Sequence, residues 1–356
     1  MRPASPVLVL ALAFLSAPCG AELTTIRIAG VEYVRLGEGA DRLGLRLVPL
    51  DTPSSVMLKD GARPVARLLD RSREIDLNGL RLFLGDPVLA RGGAFYVSRT
   101  DYQARMVPRL RPDLCGPPPR EPSVIVIDPG HGGTDQGATN KALGTMEKTY
   151  TLDVSLRLRR LLEEAGYKVV LTRDADYDVP KQIRSEMANL AKADLFVSVH
   201  FNSLYPNTKT TGVEVLCFPP RSQRSADSWS PGSKDNAESK DAPVNGFDAW
   251  SAILAGTLHR RVLDALHDGD RGEKLEHLGV LRELRCPGVL VEPAFISSDS
   301  EASKLQTPAF RDVIAAALFS GIQDYAGVIK ALHPEPAKAA EGAPVPRSQP
   351  TRPTSP

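Results

Sequence analysis

An α/β fold is expected for most of this 356-residue chain: a mostly parallel, twisted sheet flanked by helices, preceded by a small β-rich domain. Three observations predict it. From residue 123 onward, short apolar runs of strand type alternate with amphipathic helical patterns, as in a sheet covered by crossover helices. Before residue 115 the runs are short, alternating and separated by turn residues, as in a β-rich unit. Between the two lies a proline-rich joint, Cys115-Gly116-Pro117-Pro118-Pro119, the composition of a linker. At roughly 150 residues per domain, the length agrees with about two domains.

Composition narrows the function classes. The chain is 42% hydrophobic and 24% charged with a net charge of +1, so an ordinary globular protein is expected, with no reason to propose nucleic acid or an anionic membrane as a partner. The N-terminus carries Arg2, an apolar run from Val7 to Leu15 and then Cys19-Gly20-Ala21. This order of regions reads as a secretory signal peptide over residues 1–21, cleaved after Ala21 and too short to span a bilayer. Pro18 is a poor fit to a lipoprotein site at Cys19. No other stretch is expected to anchor the chain in a membrane, so the protein is expected in the periplasm or the extracellular cell envelope. Leader removal leaves Cys115, Cys217 and Cys286, an odd, widely spaced set that permits one disulfide and requires none.

Residues 22–114 contain the runs T-I-R-I-A-G-V-E-Y-V-R-L, L-G-L-R-L-V-P-L and G-A-F-Y-V-S. Asn78-Gly79, between Ile75–Leu77 and Leu80–Leu84, predicts a hairpin, and one helix is expected near Gly61–Arg73. No histidine falls between Thr24 and Pro112, so no chemistry is expected there. The hairpin followed by G-D-P-V-L-A-R-G-G-A-F-Y-V loosely resembles the small N-terminal module first named from copper amine oxidases. That resemblance implies an accessory or interaction domain and no copper chemistry.

After the linker at 115–122, a unit over residues 123–330 is expected. Val124–Ile127 is a buried strand that stops at Asp128-Pro129-Gly130 and delivers His131 into a glycine-rich loop. A helix is predicted from Glu147 to Ala165, with Leu152, Leu156, Leu158, Leu161 and Leu162 on its apolar face and Gly166 at its stop. Strands are predicted at Tyr167–Thr172, Asp194–His200, Gly212–Phe218 and Val289–Glu292. Helices are predicted at Pro180–Ala191, Ala249–Leu266 and Phe310–Tyr325. A polar insertion at 219–247 reads as a solvated loop or as a functional lid, and 331–356 as a disordered proline-rich tail.

Four residues capable of metal or acid–base chemistry fall at strand or helix ends: His131, Glu147, His200 and Glu292. In a parallel sheet the strand C-termini and helix N-termini share one edge, the usual ligand-binding edge. Each residue also has a plain structural reading: a loop histidine, a helix-start carboxylate favoured by the dipole, a core histidine, a strand-end cap. Together, two imidazoles and Glu147 suit one zinc ion with an open coordination position. Glu292, ending the apolar strand G-V-L-V-E, then suits a general base. Asn202 and Arg282 are candidate substrate-binding residues by position. Asp128 is either an acceptor for a metal-binding imidazole or a turn-forming aspartate.

These residues belong to a set of motifs that resembles the catalytic domain of zinc-dependent N-acetylmuramoyl-L-alanine amidases over residues 123–325. The motifs are D-P-G-H-G-G at Asp128–Gly133, G-T-M-E-K at Gly144–Lys148 and L-T-R-D-A-D at Leu171–Asp176, then the run from Arg184 through S-V-H-F-N-S. They continue with T-G-V-E-V at Thr211–Val215, D-R-G at Asp270–Gly272, V-L-R at Val280–Arg282 and P-G-V-L-V-E-P-A-F-I-S at Pro287–Ser297. The resemblance implies that His131, Glu147 and His200 are the zinc ligands and Glu292 the catalytic glutamate. It implies hydrolysis of the amide between N-acetylmuramic acid and L-alanine in peptidoglycan. Ala294 and Ser298 depart from the family pattern, which has glycine and frequently asparagine there. The alternatives are a zinc peptidase acting within the stem peptide and a catalytically silent wall-binding protein. A protein partner, if any, is expected at the N-terminal domain or the 219–247 insertion.

Overall fold

The computed structural model describes residues 23–50, 52, 54–221, 223, 225 and 246–333. The expected leader, most of the polar insertion and the tail beyond residue 333 lie outside the described residues. Nine short strands precede the proline-rich stretch: β1 (Thr25–Ile28), β2 (Val31–Arg35), β3 (Arg46–Pro49), β4 (Ser55–Asp60), β5 (Arg63–Leu69), β6 (Glu74–Leu77), β7 (Leu80–Phe83), β8 (Leu89–Arg91) and β9 (Ala94–Ser98). A short helix α1 (Leu36–Arg42) follows β2, and helical turns cover residues 99–110. Four of the strands form a small sheet in the order β1-β2-β9-β8. The hairpin at Asn78-Gly79 forms as expected between β6 and β7, with both turn residues at positive φ.

The helix expected near Gly61–Arg73 does not form; β5 occupies that segment. Val65, Ala66 and Leu68 mimic helical spacing, yet β4 and β6 pair with β5 on its two sides and bury those residues. Sheet pairing outweighs local pattern there. Pro64 is tolerated because it lies beside a register shift at Leu58/Lys59, and Pro49 because β3 is the outermost strand.

The second half supplies β10 (Val124–Pro129), the two-residue strands β11 (Thr139–Asn140) and β12 (Thr145–Met146), helix α2 (Glu147–Glu164), β13 (Lys168–Leu171), α3 (Lys181–Leu190) and β14 (Leu195–Val199). It continues with β15 (Val213–Cys217), α4 (Asp248–Leu266), β16 (Asp270–Leu275), α5 (Gly279–Arg282), β17 (Gly288–Glu292), α6 (Asp299–Leu305) and α7 (Pro308–Leu332). Strand β16, charged in sequence, lies outside the expected elements. The final helix runs past Tyr325 to Leu332, so residues 331 and 332 are helical and not part of a tail.

The fold is α/β as expected, and its main sheet is mixed. Eleven strands run in the order β13-β10-β14-β17-β15-β16-β7-β6-β5-β4-β3. The first four are parallel; β15 reverses against β17, and β3 to β7 are antiparallel to one another. Through the parallel pairing of β7 with β16, at Glu273 and Leu82, strands from before the linker continue the sheet that carries the site. Alternation splits the core: Ile125 and Ile127 join Val154, Leu158, Leu258 and Leu318 on one face, while Val126 joins Phe196, Leu281 and Leu290 on the other. Helix α7 is long and apolar enough to cross a membrane. Its apolar face packs into the core through Ile314, Leu318, Ile322 and Ile329, which accounts for that composition. Cys115, Cys217 and Cys286 are free thiols.

Candidate active site

Strand β10 ends in Asp128-Pro129, and the chain then turns through Gly130 to His131, whose φ of 61° is left-handed. A side chain rarely holds that conformation unless its surroundings impose it. Two buried arginines impose it here. Arg173 donates to the carbonyls of Pro129 (3.0 Å) and Gly130 (2.8 Å), and Arg184 to those of Pro129 (2.6 Å) and His131 (2.8 Å). Arg184 also pairs with Asp128, which further accepts from Thr172 and Ser198. Asp128 is therefore an anchor of the loop and not an acceptor for His131.

That acceptor is Asp135, whose Oδ2 lies 2.8 Å from His131 Nδ1. The opposite nitrogen, Nε2, faces Glu147 Oε2 at 3.1 Å. Glu147 is the first residue of α2, where the helix end favours an anion. Its carboxylate also accepts from the backbone N–H groups of Ala138 (2.8 Å) and Phe201 (3.0 Å). His200, one residue past β14, places Nδ1 2.9 Å from Glu147 Oε1, and its ring meets that of His131 edge-on at 4.8 Å. One ligand atom from each of His131, Glu147 and His200 lies within 4.8 Å of the others. The glycines make this approach possible: a Cβ on Gly137 would lie 2.6 Å from both Glu147 Oε2 and the His131 ring, and one on Gly130 would collide with the His200 ring.

The donor set fits a divalent cation. Burial alone would raise the Glu147 pKa, but the two imidazoles beside it bring the carboxyl well below the usual range. The group is an anion with two nitrogen donors, the composition of a zinc site with three protein ligands. Glu292 ends β17 beside His200, whose N–H donates to the Val291 carbonyl at 3.0 Å. One Glu292 oxygen, Oε2, is buried with no hydrogen-bond partner among the described residues. Burial, then the charges of Glu147 and Glu214, push its pKa well above the ordinary carboxylate value. A carboxylate so placed is primed to take up a proton.

The chain after Glu292 is fixed from several sides. Asn202 N–H donates to the Ala294 carbonyl (2.9 Å), Ile296 N–H returns to Asn202 (2.8 Å), and Phe295 N–H donates to the buried Glu301 (2.7 Å). Ala294 is fully buried, and Ser298 precedes α6 with its hydroxyl on that of Ser300 at 3.0 Å and no side-chain capping bond. Asn202 spends its side chain within the chain, donating to Glu214 Oε2 at 2.6 Å and accepting from Ser203 N–H at 2.7 Å. Arg282 closes α5 half-buried, with its Nε buried and lacking a hydrogen-bond partner among the described residues.

A family model described as N-acetylmuramoyl-L-alanine amidase matches residues 125–324. The sporulation-specific N-acetylmuramoyl-L-alanine amidase of Bacillus subtilis is 34% identical over 201 residues, covering 56% of this chain and 66% of that protein. The N-acetylmuramoyl-L-alanine amidase AmiC of Escherichia coli is 35% identical over 241 residues, covering 61% and 57%. An uncharacterized cell wall amidase of Bacillus anthracis is 33% identical over 213 residues, covering 58% and 36%. The chain thus spans between 36% and 66% of the length of these curated relatives. Among solved structures, AmiC2 of Nostoc punctiforme is 29% identical with a TM-score of 0.47, covering 57% of this chain and 96% of that one. The chain belongs to the N-acetylmuramoyl-L-alanine amidase family.

Proposed function

We propose that this member of the family hydrolyses the amide between the lactyl group of N-acetylmuramic acid and L-alanine of the peptidoglycan stem peptide. In this reading one zinc ion is held by His131, Glu147 and His200. The observation that carries the reading is a buried Glu292 oxygen, without a partner among the described residues, beside a triad of metal-type donors.

When bound, zinc supplies Lewis-acid polarisation of the scissile carbonyl and acidifies water, whose pKa falls to about 7 in such sites. Glu292 takes the proton of the attacking water and returns it to the departing L-alanine nitrogen, so one residue serves as base and then as acid. Asp135 holds the His131 ring in one orientation and fixes the proton on Nδ1, leaving Nε2 as the donor atom. Arg173 and Arg184 hold the loop backbone, so the imidazole is placed before any ligand arrives. Arg282, with its unpartnered Nε, is the candidate contact for a substrate carboxylate. This substrate lies outside the cytoplasmic membrane, so the reading includes export, guided by residues 1–21.

Digestion of purified peptidoglycan tests it. New L-alanine amino termini with intact glycan strands are the expected products, and their appearance stops with a zinc chelator. Cuts inside the stem peptide, or tight binding without products, overturn the reading.

A further inference from the structure

Strand β15 runs against β17, and this reversal places its first residues beside the last of β17: Glu214 and Glu292 are register partners. Opposed residues of an antiparallel pair carry their side chains on the same face, with Cβ atoms about 5 Å apart. Like charges so placed repel. The pair is tolerated because the two carboxylates differ in their surroundings. Glu214, only 5% exposed, accepts from Asn202 Nδ2 (2.6 Å), Lys274 Nζ (2.7 Å) and Arg271 Nε (3.2 Å). Glu292 keeps a buried oxygen with no partner.

The cations that saturate Glu214 are themselves held. The Arg271 guanidinium lies 5.0 Å over the Phe295 ring and the Lys274 ammonium 5.7 Å over the Phe83 ring. Phe83 belongs to β7, from before the linker. It fits because Gly272 has no side chain: a Cβ there would lie 2.6 Å from the ring. A line of contacts therefore runs from Phe83 through Lys274 and Glu214 to Asn202, two residues from His200, and to the strand pair of Glu292.

We propose that Glu214 is a positioning residue for the hydrolysis, that Lys274 and Arg271 hold it in place, and that Phe83 of the N-terminal strands is the outer support of this unit. The inference rests on the amidase reading above. Glu214 touches no reacting atom; its fixed negative charge beside Glu292 favours the protonated form that Glu292 must reach when it accepts the water's proton.

The test compares the full-length wild type with E214Q, K274M, the double variant and F83A, each with its zinc content measured, on a soluble muramoyl-L-alanyl peptide. E214Q is expected to lower kcat by about 10–100-fold, the range for groups that orient catalytic ligands, with KM and zinc content unchanged. K274M removes one of the two cations that hold Glu214, so it lowers both kcat and the urea midpoint; the double variant regains part of each loss relative to K274M. F83A moves kcat in the same direction as K274M by a smaller factor. Wild-type kcat in E214Q, or effects of E214Q and K274M that simply add in both kcat and unfolding, overturns the inference. If the wild type releases no L-alanine amino termini, the amidase reading is what fails, and the unfolding cycle, which needs no turnover, still decides whether the unit exists.

Discussion

Glu292, half-buried, and Glu273, fully buried, lie on strands separated only by β15, and their surroundings are opposite. Glu273 accepts from Arg109 with both oxygens at 2.6 Å and has His259 Nδ1 at 3.5 Å, while His259 Nε2 lies 3.1 Å from Asp270. Burial alone would raise its pKa, but Arg109 and His259 bring it down to about 2. Glu292 has a buried oxygen without a partner, and its pKa goes up. The difference teaches how one sheet separates structure from chemistry. A saturated carboxylate fixes the joint between β16 and the helical turns at 99–110; an unsaturated one keeps its affinity for a proton. Glu273 shares its side of the sheet with Arg109 and α4, whereas Lys274, one residue on, points to the opposite face and serves Glu214.

Three substitutions break or sharpen this comparison. The largest effect is expected for Glu292→Gln, which keeps shape and metal but loses the proton acceptor. Turnover of the peptide should fall by roughly 10²–10⁴-fold, about 3–5 kcal/mol of barrier, with an unfolding midpoint no lower than wild type. Near-normal turnover would show that the unpartnered oxygen is not the base. Glu273→Gln inverts the pattern. It strands Arg109 in a buried setting and should cost about 3–5 kcal/mol of stability in urea unfolding, while kcat of the folded protein stays as it was. The pH sign follows from the direction of the shift. A folded pKa near 2, below the ordinary glutamate value of 4.5, gives stability that is present above pH 4.5 and lost as pH falls toward 2. The wild type should therefore destabilise more steeply than Glu273→Gln across that window. The smallest effect is expected for Asp135→Ala, whose exposed carboxylate orients His131 and accepts from the Gly137 N–H. Zinc affinity should drop about 10–100-fold in a chelator competition, and saturating zinc should restore turnover. Unchanged affinity would assign the orientation of His131 to the loop backbone alone.

The residues legible in the sequence are those whose placement depends on local signals. His131 and His200 follow apolar strands that end at turn residues, Glu147 opens a helix with a clear apolar stripe, and Glu292 closes a buried run; a parallel arrangement of those strands brings all four to one edge. Glu214 was not legible, because its location depends on the direction of β15, which its own residues do not encode. Read as another parallel strand, β15 would carry Glu214 to the far edge. Asp135 gave little signal as an exposed loop aspartate four residues after a histidine. Arg173 and Arg184 sit inside recognisable motifs, yet what they hold is backbone carbonyl, and carbonyls leave no trace in sequence. Strand β16 escaped for a different reason: D-R-G-E-K-L is too polar to read as a buried strand, and it is buried only because partners from three other elements neutralise its charges. The false helix at Gly61–Arg73 fails in the same way, since the neighbours of β5 and not its periodicity decide its state.

The pairing of β7 with β16 has a consequence for how this molecule can be handled and how it can fail. A fragment starting at the proline-rich stretch would end its main sheet on a bare β16, with open N–H and C=O groups along an exposed strand. That strand would also carry Glu273 stripped of Arg109 and the notch at Gly272 emptied of Phe83. A row of unsatisfied hydrogen-bonding groups beside an apolar hollow is a template for another strand, including the same strand of a second molecule. Nicking of the chain at the linker, followed by release of the N-terminal strands, would thus leave a fragment prone to self-association. The strands of β3 to β7 act, in that sense, as a built-in edge guard.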